Sequence, residues 1–533
     1  MRRNTILHRA LEITGSLVLC SVLLVSFSRA ILIDISAQTR AEEKSSKIDE
    51  KIKYNKSSKY EELIKKLNQE EEISVIVSSS NDSQLNQKYL ENYAREYAKY
   101  FPEFTNEENK DLDKQELPPI YEELQQPLLK DLRKAGLEVS KVSFYSPNIS
   151  LNITSAQQLE RLFAIESIAN IQENQADYPT LSNSNPVIKA RDTWKSGAKG
   201  GGKNKIVAIL DTGVQSDHPF LNGKVNIEAC FSSKGNNVVS NCPNGKVKQY
   251  GKDSAAPCTF SSRCDHGTHV AGIAAGTSED KEDDYHGVAR DADIMAVQVF
   301  TRFNKQSSCG TSPAPCLKSY TQDQIDGLNY VGLGVLIQTL FNTTKRIASA
   351  NMSLGSRSTT TSHCNSDARK SIIDTLNSSK VATVISAGNA GNFGISTPGC
   401  ISSAITVGTT NNIDSVFYNR HPNLDLFAPG RSINSSITSS NYGSKSGTSM
   451  SAPMVAGAFA ILSARLPSNS VNQNLKVLQD TGVSVSYTNS GTNYTEKRLR
   501  FCRSYWKYNS KWYCGLFIKY PYTESIKKVD LSI

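Results

Sequence analysis

Ile206-Val-Ala-Ile-Leu-Asp211-Thr-Gly213 joins an unbroken apolar run to a carboxylate and a turn residue. A strand that is apolar at every position is buried on both faces, so it belongs to a sheet covered on both sides by helices. Comparable short runs recur at 294–300, 347–352, 381–386 and 404–407, separated by Gly- and Ala-rich helical stretches. The alternation predicts an α/β domain over residues 187–480: three layers, with helices flanking a mostly parallel sheet. In open sheets of this kind, ligand-facing groups gather at the carboxyl ends of the strands. Asp211 falls there, and Gly213 lets the chain turn away at once.

Upstream, residues 73–180 read as a small α+β domain without cysteine: a β-type run at 73–77, helical stretches at 90–100 and 120–135, strands near 138–143 and 150–153, and a helix at 156–164. Residues 38–72 are nearly all Lys, Glu, Ser, Asn and Gln, a charged spacer with too little apolar surface to offset the entropy of ordering. At 1–37, Arg2, Arg3 and Arg9 precede an apolar run at 17–27, and Ser28 and Ala30 follow it. This is the pattern of a secretory signal peptide, and the run falls short of the roughly 20 residues that cross a bilayer. If the segment is not cleaved it acts as a membrane anchor, the one membrane contact the sequence offers. The polar, Tyr-rich stretch after Leu466 reads as β structure, and residues 481–533 as a C-terminal β extension.

Of 533 residues, 38% are hydrophobic and 21% charged, a globular composition that excludes disordered, collagen-like and polytopic membrane classes. The net charge of +9 comes from basic residues interleaved with acids rather than gathered in a stripe, so no nucleic-acid partner is expected. Beyond Cys20 in the leader, ten cysteines lie between Cys230 and Cys514, an even number that suits a protein exported to an oxidising compartment. Sequence-close loop staples are expected for Cys230 with Cys242, Cys258 with Cys264, Cys309 with Cys316, and Cys502 with Cys514.

Two further segments complete a chemistry with Asp211. Asp265-His266-Gly-Thr-His269-Val-Ala-Gly272 starts a small-residue helix that can hold an imidazole in one orientation. Ser446-Gly-Thr-Ser449-Met-Ser-Ala-Pro453 leads into an apolar helix, with Pro453 fitting its first turn and Ser449 at its N-terminus, where backbone N–H groups favour negative charge. A serine hydroxyl attacks an amide only if a base takes its proton, which His266 can do; the imidazolium then needs a buried anion, which Asp211 can be. The tetrahedral intermediate also needs a donor for its oxyanion. Val384-Ile-Ser-Ala-Gly-Asn389 ends a strand on a side-chain amide that can donate beside the Ser449 N–H.

These segments resemble those of the subtilisin-like serine proteases, in the family's order Asp, His, Ser, over roughly residues 188–478. The resemblance implies a subtilisin-like fold and peptide-bond hydrolysis of polypeptide substrates with no required cofactor. It assigns Asp211, His266 and Ser449 as triad and Asn389 as oxyanion donor. It also assigns Ser353, Leu354 and Gly355 as the strand that lines the specificity pocket and pairs with extended substrate. Residues such as Ile153-Thr-Ser-Ala-Gln-Gln-Leu and Ile168-Ala-Asn-Ile-Gln-Glu resemble the end of the family's inhibitory propeptide, making 73–180 an intramolecular inhibitor removed by self-cleavage between Tyr178 and Asn185. Met454 stands where many relatives have His and Ser451 where many have Ala, and a Cys- and Pro-containing insertion follows Phe300.

Rival readings fit fewer residues. Asp211-Thr-Gly and Asp480-Thr-Gly482 could share a proton as an aspartic-type pair, but His266 and Ser449 would then have no purpose. His266 and His269 lack the Glu of a zinc-helix motif, so His269 reads as a packed structural imidazole. Asp280, Glu282, Asp283 and Asp284 invite structural calcium, which the sequence does not assign; no Gly shapes an ion cage there, and a solvated acidic loop is expected. A catalytically idle binding module on the same fold is the remaining alternative.

Overall fold

The computed structural model describes residues 59–69, 72–79, 95, 98, 122–142, 148–174, 176–179, 190, 194, 201–278, 286–500, 505–508 and 511–514, with gaps at single positions inside none of the elements named below. The leader, most of the spacer, most of the helical stretch at 90–100, the acidic stretch at 280–284, the expected cleavage region beyond Pro179 and Cys502 lie outside the described residues.

The upstream unit runs β1 (Ile73–Ser79), α1 (Glu122–Lys134), β2 (Val139–Val142), β3 (Asn148–Ile153), α2 (Ala156–Phe163) and β4 (Ile168–Glu173). Its strands form an antiparallel four-stranded sheet in the order β2-β3-β1-β4, the split βαβ arrangement. Alternation explains the layering. Ile73, Val75 and Val77 of β1 and Ile149, Leu151 and Ile153 of β3 share a core with Leu128 and Leu132 of α1 and Leu159 and Leu162 of α2. Helix α2 is stopped at its start by Ser155, whose side chain accepts the Gln158 N–H. On the other face Lys141, Ser150, Ile76 and Gln172 stand in register across the four strands. A short strand, β5 (Ala176–Pro179), follows.

The second unit runs β6 (Lys205–Asp211), β7 (Val225–Phe231), β8 (Val238–Ser240), β9 (Lys248–Tyr250), α3 (His266–Ala275), β10 (Asp293–Gln298), β11 (Thr301–Phe303), β12 (Cys316–Tyr320), α4 (Thr321–Leu340), β13 (Arg346–Met352), β14 (Leu354–Gly355), α5 (Lys370–Ser378), β15 (Ala382–Ser386), β16 (Ile405–Thr410), β17 (Leu426–Pro429), β18 (Ile433–Ile437), β19 (Asn441–Lys445), α6 (Thr448–Arg465), α7 (Val471–Thr481), β20 (Val483–Asn489) and β21 (Thr492–Arg498). Its main sheet has the order β20-β21-β17-β16-β15-β13-β6-β10-β7-β9. The strands from β7 to β17 in that path pair in parallel.

Both faces of β6 are buried, as its composition requires. Val207 and Ile209 pack with Val270 and Ala271 of α3 and Met450 and Val455 of α6. Ile206, Ala208 and Leu210 pack with Leu328 and Val331 of α4 and Ile373 and Leu376 of α5. Helices α3 and α6 approach closely because Gly457 has no side chain: a Cβ there would stand 2.8 Å from Ala274 O. The chain builds from β6 first toward β10 and β7, then toward β13 and β15. In open sheets such a reversal is where ligand-facing groups collect, here at the carboxyl end of β6, which carries Asp211.

One sequence expectation changes. The stretch after Leu466 opens with a helix, α7, rather than β structure, because Ser470 and Gln473 form a reciprocal capping box that starts it. The β20–β21 hairpin then extends the main sheet at β17. Disulfides join Cys230 to Cys242, Cys258 to Cys264 and Cys309 to Cys316, and Cys364 pairs with Cys400, a bridge whose 36-residue separation hides it from local spacing.

Candidate active site

Asp211 ends β6 and is completely buried. Its Oδ1 accepts the Thr212 N–H at 2.7 Å and lies 2.7 Å from His266 Nδ1. His266 is the first residue of α3 and is equally buried. A relay fixes the two relative to each other: Gly267 N donates to Thr212 Oγ1 at 2.9 Å, and that hydroxyl donates to Cys264 O at 3.1 Å. The Cys258–Cys264 disulfide holds the turn just ahead of His266, and Asp265 pairs with Lys445 at 2.8 Å. Thr212 and Lys445 escaped the sequence reading. Only the position of Thr212 inside the Asp-Thr-Gly segment was a signal.

Ser449 is the second residue of α6 and is buried. Pro453 lies inside this helix rather than in its first turn. Having no N–H, it cannot take the Ser449 carbonyl as the helical ladder would. That carbonyl instead accepts a 2.8 Å bond from Ser353 Oγ, while Ser449 Oγ donates to Ser353 O at 3.3 Å. Asn351 Nδ2 in turn donates to Ser353 Oγ at 3.0 Å. The expected pocket strand is thus stitched to the expected nucleophile through a double contact.

Asn389 follows β15. Its Oδ1 accepts both the Thr448 N–H and the Thr448 hydroxyl, each at 2.9 Å. With the oxygen committed, Nδ2 must point the other way; it is buried and has no acceptor among the described residues. A Cβ on Gly447 would stand 2.9 Å from Nδ2, so only glycine lets the chain pass under the amide. The arrangement presents a preoriented donor one residue from Ser449, suited to charge that appears only during reaction. Leu354 and Gly355 pair antiparallel with Pro179 and Tyr178 of β5, and the other edge of β5 pairs with Ser319 and Tyr320 of β12. The insertion after Phe300 supplies β12.

The second histidine of α3 does a different job. His269 Nε2 lies 2.9 Å from Ile433 O and 3.0 Å from Gly443 O, donating to the hairpin of β18 and β19. Burial, with the nearby positive charge of Lys445, pushes its pKa down to about 3, so the ring is neutral. His266 Nδ1 faces a carboxylate, whereas His269 Nε2 faces carbonyls. Among the described residues no group of three or more His, Cys, Asp or Glu side chains is placed to hold a metal. Asp480 sits on α7 and pairs with Lys476 at 2.8 Å, apart from the site residues named above. Ser451 and Met454 are buried inside α6, where Ser451 Oγ donates to Ala428 O at 3.0 Å.

Comparison with known proteins agrees with this chemistry. The family model described as the subtilase family matches residues 202–500. Subtilisin Savinase of Lederbergia lenta is 31% identical over 306 residues, 57% of this chain and 90% of that protein. An alkaline protease of Alkalihalobacillus alcalophilus is 30% identical over 349 residues, 64% of this chain and 76% of the other. The major intracellular serine protease of Bacillus subtilis is 30% identical over 297 residues, 54% and 77% of the two chains. With a buried carboxylate and imidazole at the switch of a parallel sheet and a family match over more than half its length, this chain belongs to the subtilase family and is a subtilisin-like serine protease.

Proposed function

We propose that the protein is an exported, self-processing endopeptidase that cleaves polypeptides through an acyl-enzyme on Ser449. His266, through Nε2, takes the Ser449 proton as the C–O bond forms and returns it to the leaving amine. Asp211 holds the ring through Nδ1 and stabilises the imidazolium. Asn389 Nδ2 and the Ser449 N–H receive the oxyanion. Ser353, Leu354 and Gly355 bind substrate as an added antiparallel strand. Water then hydrolyses the ester by the same proton path in reverse. The buried 2.7 Å contact between His266 Nδ1 and Asp211 Oδ1 carries the reading, because it commits one ring nitrogen and fixes which one is left for the hydroxyl.

Residues 73–180 act in this proposal as an inhibitory propeptide, and residues 187–480 as the catalytic domain with 481–533 as its extension. The pairing of β5 with β14 and β12 supports it: a bound peptide would need the same backbone groups. Export is supported by the N-terminal basic and apolar pattern and by the four disulfides among the described residues. Among the described residues no helix is long and apolar enough to cross a membrane.

A serine-directed fluorophosphonate tests the mechanism. Labelling that vanishes in Ser449→Ala is the expected result; labelling that survives rejects the nucleophile, and no labelling of the processed wild-type protein returns the fold to a binding module. N-terminal sequencing of that form should begin between residues 179 and 185.

A further inference from the structure

The face of the upstream sheet opposite its own core carries a row that crosses all four strands: Lys141 of β2, Ser150 of β3, Ile76 of β1 and Gln172 of β4. Ser150 and Ile76 in the middle are buried. Both ends of the row reach the second unit. Gln172 Oε1 accepts the Ala368 N–H at 2.6 Å, just before α5. Lys141 Nζ lies 2.5 Å from Asp323 Oδ1 and 3.1 Å from Asp326 Oδ2, both in the first two turns of α4. Beyond the row, Asn174 Oδ1 accepts the Gln322 N–H at 3.1 Å.

The Lys141 contact differs from ordinary surface pairs. Its side chain is 9% exposed and both aspartates are fully buried. Burial by itself would lower the lysine's pKa, but the charges of Asp323 and Asp326 outweigh it and hold the ammonium charged. The receptor is built by the second unit alone. Asp323 accepts bonds from Ser233 N and Oγ, both at 3.1 Å, and from Thr301 Oγ1 at 3.2 Å, while Gln322 Nε2 donates to Asp326 Oδ1 at 3.0 Å. Both carboxylates are therefore held in place by groups the upstream unit does not supply. Without a cation, two like charges at a helix start would face each other at low dielectric, so an occupant lacking a positive group at this point is disfavoured.

We propose that Asp323 and Asp326 form a recognition site for one buried ammonium, and that Lys141 is the residue by which the upstream unit of this same chain is selected and held over the cleft. Backbone pairing through β5 is open to any extended segment; the acid pair supplies the discrimination that such pairing lacks. This rests on the reading of residues 73–180 as a covering inhibitor.

The test uses the full-length chain and follows fluorophosphonate labelling of the intact band at early times, with the processed form as reference and circular dichroism as a check on folding. Wild type should label slowly. Lys141→Met should label at least about tenfold faster, since removing one partner of a buried pair is strongly destabilising, and Lys141→Arg should stay near wild type. Asp326→Asn, carried by the other unit, should shift the rate in the same direction as Lys141→Met and decides the matter if the lysine variant does not fold. Wild-type rates in both Lys141→Met and Asp326→Asn overturn the latch while leaving the covering role intact. Intact wild type that labels as fast as the processed form overturns the covering role, and the latch with it.

Discussion

The two sheets of this protein are built on opposite principles. The upstream sheet is antiparallel, buries its apolar alternation under α1 and α2, and turns a polar-edged row toward its neighbour. The main sheet is largely parallel, apolar on both faces, sandwiched between helix layers and braced by the disulfides found among the described residues. In a parallel sheet whose order reverses at β6, ligand-facing groups collect at the carboxyl edge, whereas the upstream sheet, with every pair antiparallel, has no such edge. The proposed chemistry sits on the first, and in the same proposal the second is the part removed after folding.

The sharpest way to break that division is Ser449→Ala, for which peptidase activity should fall by about 10⁶-fold, the magnitude established for the corresponding change in this family rather than one obtained from these distances. Thermal unfolding should barely move; retained turnover would place the chemistry elsewhere. Asn389→Ala should lower kcat by about 10²–10³, again the family's figure, with KM little changed. An effect confined to KM would make Asn389 a binding residue instead.

A core substitution separates the units by stability. Leu151 is fully buried in the upstream core, so Leu151→Ala should destabilise that unit by about 2–5 kcal/mol. Calorimetry of the full chain should show one transition lowered, while the melting of the processed form, which on the proposed reading lacks Leu151, is the same as from wild type. A processed form altered by this change would mean the upstream unit leaves an imprint on its neighbour.

The smallest effect expected is pH-dependent and belongs to the main sheet. Burial raises the pKa of Glu228 on β7 from 4.5 to about 7, against bonds from the Asp253 and Ala255 N–H groups that lower it. Burial likewise raises Asp425 from 3.8 to about 7. Both favour the protonated form in the fold. Their contribution is complete below the ordinary values and is lost as the pH rises through 7. Denaturant titrations between pH 4 and 8 should show this loss, and Glu228→Gln should remove from it a share on the order of 3 kcal/mol. An unchanged slope would mean Glu228 is ionised in the fold.

Several features were legible because they depend on local order. The run 206–210 announces a strand covered on both faces, and the residue types around Asp211, His266 and Ser449 name a chemistry by sequence alone. Other features depend on partners far along the chain. His266 and His269 are three residues apart and indistinguishable by composition; one meets a carboxylate from β6 and the other two carbonyls from the β18–β19 hairpin. Pro453 looks like a first-turn proline, yet the helix begins earlier, and the missing N–H hands the Ser449 carbonyl to Ser353. Helix α7 was hidden because a short polar helix with a modest apolar stripe resembles a polar tail until its cap is recognised.

The amino-acid order by itself determined the class of sheet and marked the candidate reactive groups and the sequence-close cysteine pairs, since hydrophobic period, side-chain chemistry and cysteine spacing are properties of the chain. Only the folded molecule decided that Thr448 turns the Asn389 amide, that Cys364 meets Cys400, and that a lysine from one unit is buried between two aspartates of the other. Those contacts join residues separated by 36 to 185 positions, and no local preference specifies a distance that only the packing of whole layers creates.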